Sequence, residues 1–121
     1  MNHRRTVIVN FGAAALTIPL FVSAFNKLTL QPSMVETMRT MGYDTIIRTI
    51  GCLELITAIC FAIPLTRALG FFFINIYLGG AIAAELASDP SQVIVPLFMI
   101  ITAWVLMLYD DAKWLLRGLL K

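Results

Sequence analysis

The chain has 121 residues, 60% apolar and 13% charged, with nine Lys and Arg against seven Asp and Glu for a net charge of +2. A charged fraction half the ~25% usual in soluble domains excludes a soluble globular domain, and so small and dispersed a positive charge excludes a nucleic-acid surface. At ~20 residues per membrane helix, the length predicts one integral membrane domain over 1–121, with room for four spans and none for a soluble catalytic domain.

Charged residues mark out the spans. The first, 6–26, is an uncharged window between Arg5 and Lys27, with Pro19 as a kink that membrane helices tolerate. Apolar sequence continues after it, whereas a removable signal peptide gives way to a polar chain, so this segment is expected to remain as an anchor. In the loop that follows, Ser33 and Glu36 stand at capping-box spacing and Gly42 supplies a stop, which predicts a short helix over 34–41. Met34, Val35, Met38 and Met41 share one side of it, and Glu36, Arg39 and Thr40 the other. Such an amphipathic segment suits a packed connector on the rim of a bundle better than a substrate lid.

The second span, 45–66, carries Glu54 together with Cys52 and Cys60. Eight residues of helix separate the cysteines by ~12 Å, beyond the ~7 Å that a disulfide allows, and both are expected to pack as small buried apolar side chains. The third, 68–87, carries Asn75 and Glu85, and small residues recur four apart at Gly79 and Ala83, Gly80 and Ala84, Ala83 and Ala87. That spacing lets another helix approach closely. The fourth, 91–109, is uncharged. In the tail, 110–121, Lys113, Arg117 and Lys121 lie opposite Trp114, Leu115, Leu116, Leu119 and Leu120, the pattern of an interfacial segment. The fold class that follows is all-α: a transmembrane four-helix bundle with a short amphipathic outside helix between spans one and two.

Orientation follows from the basic residues. Arg4, Arg5, Arg67, Lys113, Arg117 and Lys121 fall on one side, and Lys27, Arg39 and Arg48 on the other. The excess predicts a multi-pass cell-membrane protein with both termini cytoplasmic.

A charge inside a membrane helix costs ~2.5–3.5 kcal/mol on insertion scales and therefore faces protein or water. Glu54 shares a helix face with Gly51, Thr57, Ala58 and Phe61, mostly small or polar, which turns it toward the other helices. Spans two and three run in opposite directions, so Glu54 and Glu85 reach similar depth in the outer half, where Asn26 and Lys27 end span one. The candidate site is this cluster of Asn26, Lys27, Glu54 and Glu85, in which Lys27 can neutralise one carboxylate and leave the other. The same residues have a plainer reading: Glu54 as a structural carboxylate tied to a donor, Lys27 as a snorkelling lysine, Glu85 as an interfacial charge. His3 is alone in the tail, and no metal-ligand spacing, phosphate loop or nucleophile beside a base is visible.

Three runs also carry a resemblance: Ile50-Gly51-Cys52-Leu53-Glu54, Ile63-Pro64-Leu65-Thr66-Arg67-Ala68-Leu69-Gly70, and Leu78-Gly79-Gly80-Ala81-Ile82-Ala83-Ala84-Glu85-Leu86. With Lys27-Leu28, Met41-Gly42-Tyr43, Pro96 and Trp104, their order and spacing resemble the DoxX-like family of small four-helix membrane proteins, from about Phe11 to Leu108. The resemblance implies membrane redox work, as in a quinone-linked thiosulfate oxidoreductase subunit or a membrane partner of thiol and superoxide defence enzymes. Lys27, Glu54, Arg67 and Gly79 match family positions. Position 85 departs, since the family often has His where this chain has Glu85.

Three functions compete on these grounds. The first is a membrane subunit that binds a small hydrophobic molecule such as a quinone at the polar cluster, or supports a redox partner; a carboxylate near the interface can deliver the protons that quinone reduction needs. The second is a structural or assembly subunit of a larger membrane complex, whose carboxylates fix helix register. The third is a small proton-coupled transporter, ranked last because small multidrug exporters carry their essential Glu in span one and this span one has none.

Overall fold

The computed structural model describes residues 3–119, and the side chains of residues 3–110. The described residues form five α-helices in order: α1 (His3–Leu28), α2 (Pro32–Thr40), α3 (Ile47–Ala62), α4 (Arg67–Ser88) and α5 (Ile94–Leu119). Short 3-10 turns at Asp44–Ile46, Pro64–Thr66 and Pro90–Val93 lead into α3, α4 and α5, and there is no strand among the described residues. Among the described residues, four stretches are long and apolar enough to cross a bilayer: His3–Leu28, Asp44–Ala62, Pro64–Ser88 and Pro90–Asp110. The physical reason is that hydrocarbon offers no hydrogen bonds, so an uncharged apolar run must satisfy its own backbone as helix.

Helix α1 packs against α3 and α5, and α4 packs against the same two. The long helices therefore form a ring in which α1 and α4 are diagonal. Successive spans reverse direction, so α2 lies at the end where α1 stops and α3 begins, called here the α2 end. The core is filled by Ala13, Leu16, Phe61, Phe71, Ile74, Leu78, Ala103 and Met107. Phe71 meets Trp104 edge-on with ring centroids 5.0 Å apart, the arrangement that aromatic quadrupoles favour. The Trp104 indole N–H donates to Asn75 at 2.7 Å, and the Asn75 amide donates to the Phe71 carbonyl at 2.8 Å. Asn75, conspicuous in the apolar third span, is thereby a bolt between α4 and α5. Large apolar side chains such as Phe11, Phe72 and Phe98 point outward, where a bilayer supplies their solvent.

Local structure departs from expectation at three places. Helix α2 starts at Pro32, and its cap is Gln31, whose side chain accepts from the Ser33 and Met34 N–H groups. Proline suits this first position because the amide it lacks has no intrahelical partner there. The Ser33–Glu36 capping box does not form, and Glu36 instead pairs with Arg39 at 3.0 Å. Gly42 is the stop as expected: it has φ +82°, and bonds from Tyr43 N–H to the Met38 carbonyl and from Gly42 N–H to the Arg39 carbonyl close a Schellman motif.

The second departure concerns the small-residue face of α4. A Cβ at Gly79 or Gly80 would meet nothing within 4 Å, whereas at Gly70 a neighbouring helix comes close, and a Cβ there would fall 2.3 Å from the Phe61 amide nitrogen. The third is Cys52, which is exposed on α3 and not buried, while Cys60 is half-buried; both thiols are free. At the tail, the backbone of α5 continues as helix to Leu119. The interfacial face expected from Lys113, Arg117 and Lys121 lies outside the described side chains.

Candidate ligand-binding site

Helical side chains lean toward the N-terminus of their helix. Lys27 sits in the last turn of α1 and Glu54 midway along α3, which runs the opposite way, so Lys27 leans into the bundle while Glu54 leans up to meet it. Gly51 lets this happen: a Cβ there would stand 3.0 Å from the Lys27 Cβ and 3.2 Å from the Leu28 Cγ. The result is a salt bridge with Lys27 Nζ 2.7 Å from Glu54 Oε1. The two residues are 6% and 3% exposed, so water screens the pair little. The face expected around Glu54 is the one that is buried, with Gly51, Thr57, Ala58 and Phe61.

Two further side chains complete the arrangement. Lys27 Nζ also donates to the Ser23 hydroxyl at 2.8 Å and to the Tyr77 hydroxyl at 3.0 Å. Tyr77 and Glu54 line one cavity together. An ammonium has three donors, and all three are used. Neither Ser23 nor Tyr77 was legible as a partner, because each is a neutral polar residue inside an apolar span, Ser23 near its end and Tyr77 at its middle. Their signal was indirect: Ser23 stands one helical turn before Lys27, and Tyr77 one before Ala81 and two before Glu85 on α4.

Around this group lie two adjoining cavities. The larger, about 470 Å³, is walled by α1, α2, α3 and α4 and includes Lys27, Met34, Met38, Met41, Tyr43, Tyr77 and Glu85. The smaller, about 290 Å³, is walled by α1, α3, α4 and α5 and includes Glu54, Pro96 and Met99 besides Ser23, Lys27, Tyr77, Ala81 and Glu85, which it shares with the first. Glu85 is thus brought to the site, half-buried, with no side-chain hydrogen bond or ion pair among the described residues. Asn26 is not brought there. It is half-buried, lines neither cavity, and contributes its carbonyl to the turn after α1 by accepting from Gln31 N–H at 2.9 Å. Helix α2, expected as a packed connector, buries Met38 and at the same time walls the larger cavity.

A second buried cation stands at the opposite end of the bundle. Arg67 is 6% exposed; its Nε donates to the Phe61 carbonyl at 2.9 Å, one Nη to the Ala62 carbonyl at 3.0 Å, and the other to the Asn10 side chain at 3.0 Å. Its sequence position in a turn reads as an orientation signal. In the fold it satisfies carbonyls left over at the C-terminus of α3, where a cation is also favoured by the helix dipole, and ties α1 to α4.

The cysteines belong to neither site. Replacing Cys52 and Cys60 by Ala, singly or together, is expected to change the thermal midpoint of detergent-solubilised protein little, within the ~0.5 kcal/mol typical of surface changes for the exposed Cys52. Loss of folding or ligand binding in the Cys52 variant would show a thiol role that its lipid-facing position does not support.

A family model described as the DoxX-like family matches residues 10–106 of the chain. Lys27, Glu54, Arg67, Tyr77 and Glu85 all fall inside the matched region. No curated protein and no solved structure matches the chain.

Proposed function

The chain belongs to the DoxX-like family, and from that premise we propose that it is a membrane subunit that binds a small hydrophobic molecule, a quinone being the ligand its family suggests, or presents such a molecule to a partner in redox or sulfur metabolism. The observation that carries this reading is the cavity of about 470 Å³, within the ~300–1,000 Å³ of small-molecule sites. Apolar walls with a few convergent polar groups are what such sites have in common, and here the polar groups are Lys27, Tyr77 and Glu85. A volume of about 470 Å³ leaves room for a ring-sized molecule with part of its tail. Mass spectrometry of the protein purified in mild detergent tests this: a bound quinone or similar apolar molecule is the expected result, and a ligand-free protein from membranes rich in quinone would sink it.

One observation favours a second reading, a structural subunit of a larger membrane complex. Gly79, Ala83 and Ala87 form an exposed stripe on α4, with the open space at Gly79 noted above. A helix from another subunit could close on it. In the same mass spectra, a stoichiometric large partner without ligand would favour this reading over the first.

The α2 end, and with it the cavity, faces the outside in our reading, and both termini face the cytoplasm. Support comes from the six basic residues on the side of the termini against three on the other. In a background with Cys52 and Cys60 replaced by Ala, a cysteine placed at Ser33 or Ser88 is expected to label from outside intact cells. Labelling at Ser33 only after permeabilisation would reverse the orientation.

A further inference from the structure

We infer that the cavity under α2 selects molecules whose head group donates a hydrogen bond, a hydroxyl or an ammonium, over those with only carbonyl or anionic heads. This rests on the reading that the cavity is a binding site, and it adds the chemistry of the head group.

Charge and donor balance lead to it. Lys27 has no N–H left for a ligand, since Ser23, Glu54 and Tyr77 take all three. Its charge is matched by Glu54 at 2.7 Å. The charged group that remains in the lining is Glu85, a carboxylate that lines both cavities and whose side chain has no partner among the described residues. An ionised carboxylate can only accept. The neutral hydroxyls of Ser23 and Tyr43, also in the lining, can turn to either role and so set no preference, while that of Thr37 already donates to the Ser33 carbonyl.

A ligand entering this space displaces the water that would otherwise solvate Glu85. A head with only carbonyl oxygens then leaves the carboxylate desolvated and unpaired, and an anionic head adds like charge; both are unfavourable. A hydroxyl or ammonium head instead forms a charge-assisted hydrogen bond, the stronger kind. The tail of such a molecule lies along Met34, Met38 and Met41, unbranched side chains that adapt to irregular shapes.

The test uses pairs of amphiphiles that share a tail and differ in the head: dodecylammonium against dodecanoate, and a decyl-substituted hydroquinone against its quinone, the latter pair under anaerobic conditions. Binding to the full chain in phosphatidylcholine nanodiscs is measured and corrected with empty discs. The donor-bearing member of at least one pair is expected to bind about tenfold more tightly, and which pair does so tells ammonium from hydroxyl. Glu85→Leu is expected to bring that preference to within about twofold, while Glu85→Gln, whose amide oxygen still accepts, retains part of any hydroxyl preference. Equal binding within both pairs, or a preference that survives Glu85→Leu, overturns the inference and leaves the cavity standing as a binding site. Absence of binding by all four probes overturns the cavity reading and this inference together. Unchanged thermal midpoints of the two Glu85 variants show that the fold is intact.

Discussion

Glu54→Gln is expected to lower the stability of the folded chain by about 3–5 kcal/mol, the range for removing one partner of a buried ion pair. The reason is what it leaves behind: a Lys27 ammonium 6% exposed, held by Ser23 and Tyr77 but without its counter-charge. Lys27→Met should be nearly as harmful, since it strands the Glu54 carboxylate in the same place. The double variant, with both charges gone, should be less harmful than the sum of the singles, because residues in direct contact are not additive. Glu85→Gln, by contrast, breaks no bond and should stay within about 0.5 kcal/mol. Folded yield and unfolding midpoint in mild detergent, measured for the three singles and the double, decide the matter. Strict additivity of the Lys27 and Glu54 changes would mean the pair is not formed, and equal tolerance of Glu54→Gln and Glu85→Gln would reduce the cluster to scattered interfacial charges.

The other large effect is expected at Gly70. A methyl group there would lie 2.3 Å from the Phe61 nitrogen, 2.5 Å from its Cα and 2.6 Å from the Cys60 carbonyl carbon. These are backbone atoms of the neighbouring helix, which cannot rotate away as a side chain would. Gly70→Ala must therefore push α3 and α4 apart at their junction, and the Arg67 bonds to the Phe61 and Ala62 carbonyls, which span the same junction, lengthen with it. The cost should reach or exceed the ~1–3 kcal/mol of an overpacked core. Gly79→Ala is the control. With open space around it, that change should be neutral or stabilising by up to about 1 kcal/mol, the helix-propensity difference between the two residues. If Gly70→Ala unfolds at the same denaturant concentration as Gly79→Ala, the close approach of α3 and α4 is not there.

The contrast between these glycines shows where one-dimensional reading ends. Gly79 stands in a conspicuous small-residue pattern, yet its surroundings are open; Gly70 follows a turn and draws little notice, yet it is where two backbones touch. Spacing tells which residues share a face, but the point of closest approach depends on where two helices cross. Asn26 makes the same point at the site. It neighbours Lys27 in the chain, and about 100° of helical rotation turns its side chain away from the cavity, which it does not line.

Four long apolar helices, the buried face of α3 around Glu54 and the pairing of Lys27 with a carboxylate could all be read from residue order. Each follows from local or nearly local physics: the length of an apolar run, the helical period, the depth of a charge below the nearest polar end. Tertiary structure alone decided which carboxylate Lys27 takes, that Ser23 and Tyr77 use its remaining donors, that Glu85 is left without a partner, and that Arg67 closes the end of α3. Those outcomes depend on helices far apart in sequence meeting at particular heights and rotations, and in a medium without water a polar group can pair only with what the packing places within reach.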